Sequence, residues 1–138
     1  MRSIFIVLLI AVLIYGRRTK VKKGIRIYKQ GTSKKDQDLL ISVSRDDEFG
    51  IELHSNPTTG YEWFLEDYNK LTVLSTNTTD GLGLFVSPEV DEEIMGAPGT
   101  QRFFFKVTKA GEEILQFIYK RKWETQPSTS YKVLIMCK

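Results

Sequence analysis

Over most of its length from Leu39 onward, this chain repeats apolar residues at every second position. Phe49, Ile51 and Leu53 alternate with Gly50, Glu52 and His54. Phe103, Phe105 and Val107 alternate with Phe104, Lys106 and Thr108, and Tyr131, Val133, Ile135 and Cys137 with Lys132, Leu134 and Met136. Successive side chains of an extended strand point to opposite faces, so each run predicts a strand with one buried face. Leu39–Val43, the aromatic-rich Tyr61–Leu65, Leu71–Leu74 and Leu84–Val86 are shorter candidates, and Ile114–Tyr119 reads as a central, well-buried strand. Turn signals separate the runs: Asp46-Asp47, Asn56-Pro57, Asp80-Gly81, Pro98-Gly99, Ala110-Gly111 and Gln126-Pro127-Ser128. With no long segment of period 3.6 and no internal repeat, the expected fold is all-β: an immunoglobulin-like antiparallel β-sandwich of about seven to eight strands. Trp63 is the expected core tryptophan.

The N-terminus obeys another rule. Arg2 precedes an unbroken apolar run from Ile4 to Ile14, eleven residues or roughly 16 Å as a helix, about half a bilayer core. That is the size of a signal-peptide apolar region, and residues 1–16 are expected to be a signal peptide cleaved near Gly16. The alternative is an uncleaved anchor held by Arg17, Arg18, Lys20, Lys22 and Lys23. Asn77-Thr78-Thr79 is an N-glycosylation sequon, which fits the same route. The expected location is the secretory pathway, ending in lysosome-like vesicles or outside the cell.

Charge divides the rest. Residues 17–35 hold nine Lys or Arg and no acid, whereas residues 36–138 hold ten basic and seventeen acidic residues, a net −7. Residues 17–37 read as a basic flexible arm and 38–138 as one acidic domain. An acidic domain lacks the basic face that nucleic-acid binding requires. Membrane contact is expected only transiently through the signal segment, or weakly through the arm. The single cysteine, Cys137, excludes an intrachain disulfide, so the core alone must hold the fold. A free cysteine in such a position reads as a small buried hydrophobe.

One loop stands out chemically. Asn56-Pro57-Thr58-Thr59-Gly60-Tyr61 lies between two predicted strands. Pro57 fixes φ, Asn56 can bond local backbone, Thr58 and Thr59 have restricted χ1, and Gly60 permits positive φ or close approach. A stiff exposed loop loses little entropy on binding. Taken alone, these properties serve a structural turn equally well.

That hexapeptide, followed at one remove by Trp63, resembles the signature of the chagasin family of cysteine-protease inhibitors. Gly96-Ala97-Pro98-Gly99, ahead of the Phe103–Val107 run, resembles the family's glycine-rich loop. Arg121-Lys122-Trp123, after Tyr119, resembles its Arg-Pro-Trp segment. The resemblance runs from about Leu39 to Lys138. It departs at Pro98, where a glycine is usual, and at Lys122, where a proline is usual; both bear on affinity and target preference. The resemblance implies a reversible, non-covalent inhibitor of papain-like, cathepsin-like cysteine proteases, acting as a monomer. Asn56–Tyr61 would enter the cleft with Thr58 and Thr59 nearest the catalytic pair. Gly96–Gly99 would lie on the non-primed side, and Trp123 on the primed side with Arg121 adding polar contacts.

Two other functional classes have partial support in the chain. His54 is the only histidine and Cys137 the only cysteine, so a Cys–His nucleophile would have to join these two strand residues. Two such residues make no zinc site, and neither metal nor cofactor is expected. The acid pairs Asp46-Asp47 and Glu92-Glu93 read as solvated turns. An adhesion or carbohydrate-binding module of the same fold is the stronger rival, with aromatics such as Tyr68 as its contact surface. Co-purification with a protease or with a glycan resin separates the two.

Overall fold

A computed structural model of the chain describes residues 24–31, 38–86 and 99–138. The predicted signal peptide, residues 1–16, lies outside the described residues, as do Gly96, Ala97 and Pro98. The described strands are β1 (Arg26–Lys29), β2 (Asp38–Val43), β3 (Glu48–Ser55), β4 (Tyr61–Leu65), β5 (Leu74–Thr76), β6 (Leu84–Val86), β7 (Gly99–Val107), β8 (Gly111–Arg121) and β9 (Thr129–Cys137). A 3-10 turn, Pro57–Thr59, joins β3 to β4.

The strands form two sheets. One runs β1-β3-β7-β5, with β6 also paired to β7; the other runs β2-β9-β8-β4. The period-two residues face each other between them. Phe49, Ile51, Leu53, Phe103, Phe105 and Val107 come from the first sheet; Ile41, Trp63, Leu65, Leu115, Phe117, Tyr131, Val133 and Ile135 come from the second. The Phe103 and Phe117 rings meet edge-on across the gap, with centroids 4.8 Å apart. Each fully buried side chain of this size contributes about 1.5–3 kcal/mol, so a disulfide-free domain is held by its core. Cys137 is buried with the rest. The immunoglobulin-like sandwich is therefore as expected.

Three expectations change in detail. First, the predicted arm, residues 17–37, contains a strand: β1 pairs parallel with β3, from Arg26 opposite Phe49 to Lys29 opposite Glu52. Tyr28 packs edge-on against Phe49 at 6.1 Å, and the Gln30 side-chain oxygen accepts the His54 amide. Four residues are too few to display a period, and their partner lies over twenty residues away. Second, the sheets are mixed, because β2 also pairs parallel, with β9. Third, β8 is central in its sheet but buried on one face only: Leu115 and Phe117 are inside, while Ile114 is exposed. No layer covers the second sheet's outer face among the described residues, so alternation rather than full burial is the rule there.

The Leu71–Leu74 run is a strand only from Leu74. The Glu113 carboxylate accepts the backbone N–H of both Thr72 and Val73, replacing ladder bonds at those residues. Glu52 points outward as its alternation predicts, yet it is buried because its carboxylate accepts the Arg102 Nε–H at 2.6 Å. Ion pairing is the usual condition for burying a carboxylate.

Candidate functional site

Antiparallel register brings several loops to one end of the sandwich. Ser55, closing β3, pairs with Gly99, opening β7. Tyr61, opening β4, pairs with Arg121, closing β8, and Tyr119 pairs with Thr129 where β9 begins. The 56–60 loop, the 122–128 turn and the entry to β7 thus share that end. Gly99 itself is a buried strand residue: a Cβ there would lie 2.5 Å from the Phe85 ring and 2.7 Å from the Val86 carbonyl oxygen. Only glycine fits at that contact.

The 56–60 loop is held from within. The Thr58 hydroxyl donates to Asn56 Oδ1 at 2.6 Å, and the Thr59 hydroxyl donates to the Asn56 carbonyl at 2.7 Å. The Gly60 amide donates to the Pro57 carbonyl at 3.0 Å, and the Tyr61 amide reaches the Thr59 hydroxyl at 3.4 Å. Gly60 closes the turn at φ 80°, in the left-handed region that other residues enter at a cost. Pro57, Thr58 and Thr59 are exposed at the tip.

The base of the loop ties the sheets together. Trp63 Nε1–H donates to the His54 carbonyl at 2.7 Å, and the Asn56 amide donates to the Tyr119 hydroxyl at 3.4 Å. Tyr119 stacks between Trp63 and Tyr61, with centroids at 4.9 and 5.4 Å. The Trp63 amide donates to Gln101 Oε1 at 2.7 Å, and Gln101 Nε2–H donates back to the Trp63 carbonyl at 3.2 Å. The buried amide of Gln101 thereby acts as a short stretch of neighbouring strand.

Beside the loop stands the 121–124 turn. Trp123 is 73% exposed, high for so large an apolar side chain. Lys122 is exposed next to it. The Glu124 carboxylate holds the turn, accepting the Arg121 amide at 3.3 Å and pairing with Arg121 Nη1 at 3.6 Å. Lys120 Nζ donates to the Glu124 carbonyl at 3.1 Å. Tyr119, Gln101 and Glu124 were not singled out from the sequence. Tyr119 and Gln101 sit on ordinary strand positions, and Glu124 reads as a solvated charge.

The nucleophile candidates do not meet. His54 lies at the loop end of β3, whereas Cys137 pairs with Gly111 and Val43 at the opposite end of the other sheet. Burial, and next the Glu113 carboxylate, push the Cys137 thiol above its usual pKa, which keeps it protonated at neutral pH. Among the described residues no three His, Cys, Asp or Glu side chains gather as metal ligands. Tyr68 is half-buried against the core, with its hydroxyl bonded to the Thr79 carbonyl at 2.8 Å. Its packing and this bond give it a structural role.

A preorganised loop and an exposed tryptophan thus stand side by side on one end of an immunoglobulin-like sandwich, the form of a small binding module without catalytic groups in reach of one another among the described residues. The family model of the chagasin family of peptidase inhibitors, I42, matches residues 42–135. This chain belongs to that family, and it is a cysteine-protease inhibitor. Chagasin of Trypanosoma cruzi is 36% identical over 78 residues, which are 56% of this chain and 67% of chagasin. The structure of the cysteine protease inhibitor EhICP2 from Entamoeba histolytica has a TM-score of 0.64 at 22% identity, over 83% of this chain and 96% of that one. The structure of PbICP-C in complex with falcipain-2 has a TM-score of 0.56 at 19% identity, over 82% of this chain and 99% of that one. At those identities the two structures establish the fold.

Proposed function

We propose that this protein inhibits papain-like cysteine proteases reversibly and without covalent chemistry, by laying three loops over the active-site cleft. Asn56, Pro57, Thr58, Thr59, Gly60 and Tyr61 form the wedge that enters the cleft. Gly96, Ala97 and Pro98 lie along its non-primed side, while Gly99, buried at the start of β7, is left out of the contact. Arg121, Lys122 and Trp123 cover its primed side. One observation carries this reading: the 56–60 loop is locked by its own hydrogen bonds and stands beside the exposed Trp123. A wedge already rigid before binding loses little entropy there and cannot easily relax to present a peptide bond to a thiolate. The complex of PbICP-C with falcipain-2 supports a partner of this class.

The test is a titration of a papain-like enzyme with the recombinant domain. One-to-one loss of activity, with the inhibitor recovered intact, is the expected result. A folded protein that leaves several such enzymes active would turn attention to the adhesion reading. Within the same assay, Trp123→Ala is expected to cost at least ~1 kcal/mol of binding, since exposed tryptophans at an interface centre are frequent hot spots. A loss within error of zero removes Trp123 from the contact.

The N-terminal run and the sequon suit a role along the secretory route. The apolar run Ile4–Ile14 directs the chain into the secretory pathway, toward lysosome-like vesicles or the exterior, where it acts as a monomer. Asn77 carries an N-glycan. Asn77 is exposed just after β5, and its neighbour Thr76 pairs with Phe105, six residues along β7 from Gly99. A glycan there would stand roughly 20 Å from the loop end. Protein made in a secretory host should shift on a gel after N-glycan removal, and Asn77→Gln should not; identical mobility of the two refutes the modification.

A further inference from the structure

Arg121 directs much of its bonding inside the molecule. Its Nε–H donates to the Thr59 carbonyl at 3.3 Å, at the tip of the 56–60 loop. Its guanidinium lies 4.6 Å from the Tyr61 ring centroid and 5.9 Å from that of Trp123. Nη1 pairs with Glu124. A Cβ placed on Gly60 would sit 3.6 Å from Trp123 Cη2 and 3.9 Å from Arg121 Cγ, so the two loops nearly touch around this side chain. A protease carboxylate approaching Nε or Nη1 would have to compete with these partners. Lys122, on the same turn, is exposed and makes no hydrogen bond, ion pair or ring contact among the described residues.

We infer that Arg121 is a positioning residue: it clasps the 56–60 loop to the Trp123 turn so that wedge and anchor reach the protease as one rigid unit. This rests on the cleft-blocking reading for its consequence, while the clasp itself is a property of the free inhibitor. The planar guanidinium is what the role needs, because it donates from Nε in a fixed direction while its central carbon lies over the Tyr61 ring. A lysine would supply the charge but not the direction or the plane. Arg121 closes β8 opposite Tyr61, at a strand end outside the core, so its replacement leaves the sandwich folded.

Arg121→Met, which keeps the length of the stem, should weaken protease binding about tenfold, and Arg121→Lys should fail to restore it. In a Trp123→Ala background the same Arg121→Met change should cost less than about threefold, because the anchor it positions is gone. In the free protein, nuclear magnetic relaxation should show the backbone order parameters of Thr59 and Gly60 dropping toward about 0.6 in Arg121→Met while Lys122→Ala leaves them unchanged. Full rescue by lysine with additive losses would make Arg121 a direct charge contact to the protease and overturn the clasp. Unchanged order parameters at Thr59 and Gly60 would overturn it as well. If the wild type inhibits no papain-like enzyme, the functional reading fails, and the order parameters of the free protein still decide the clasp.

Discussion

Thr59→Asp weakens inhibition of a papain-like protease about a hundredfold or more. Two effects act together. The threonine hydroxyl donates to the Asn56 carbonyl at 2.7 Å; an ionised carboxylate cannot donate, and it meets that oxygen with like partial charge. The larger effect arises on binding. If the loop enters the cleft, the carboxylate leaves water beside the catalytic thiolate, and an uncompensated buried charge costs about 3–5 kcal/mol. Arg121 is near enough to answer part of this charge, but an exposed ion pair returns less than about 1 kcal/mol, so desolvation wins. Thr59→Ser keeps the donor and should stay within about threefold of wild type. The check is the inhibition constant of each variant, with circular dichroism to show the sandwich intact. Unchanged affinity for Thr59→Asp places the loop outside the cleft.

Gln101→Leu destabilises the fold by about 3 kcal/mol, read as a shift of the urea midpoint at constant slope. Gln101 is 3% exposed, and its amide satisfies both the N–H and the C=O of Trp63. Leucine fills a similar volume and adds a little apolar burial. It leaves two backbone groups without partners, at about 1–3 kcal/mol each. The penalty exceeds the gain because the transfer of two buried polar groups outweighs a few methylenes. The change should also weaken protease binding, since Trp63 Nε1 supports the base of the 56–60 loop through His54. A midpoint within error of wild type would mean that another group replaces the Gln101 amide.

The inner-face alternation of β3, β7 and β9 was readable from the chain because period two follows from strand geometry alone. Phe49, Ile51 and Leu53 and their counterparts are the core for that reason. The stiffness of Asn56–Gly60 was also readable, since proline, β-branched threonines and glycine restrict the backbone wherever they stand. The strand β1 was not, because its parallel partner is remote in sequence and four residues carry no period. Nor was the one-sided burial of β8: Ile114 is as apolar as Leu115, and they differ because no layer covers the face of Ile114 among the described residues.

Roles that depend on a partner far along the chain had no local signal at all. Gln101 and Trp63 are 38 residues apart, and Arg121 and Thr59 are 62 apart. By itself the sequence determined the all-β class, the inward residues of β3, β7 and β9 and the stiffness of the 56–60 loop, all of which follow from local stereochemistry and hydrophobic periodicity. Tertiary structure alone decided that Arg121 faces inward to Thr59, that Glu124 braces its turn and that Gln101 closes the seam between the sheets. Hydrogen bonds select partners by position in space, and the register that sets those positions is a property of the whole sandwich.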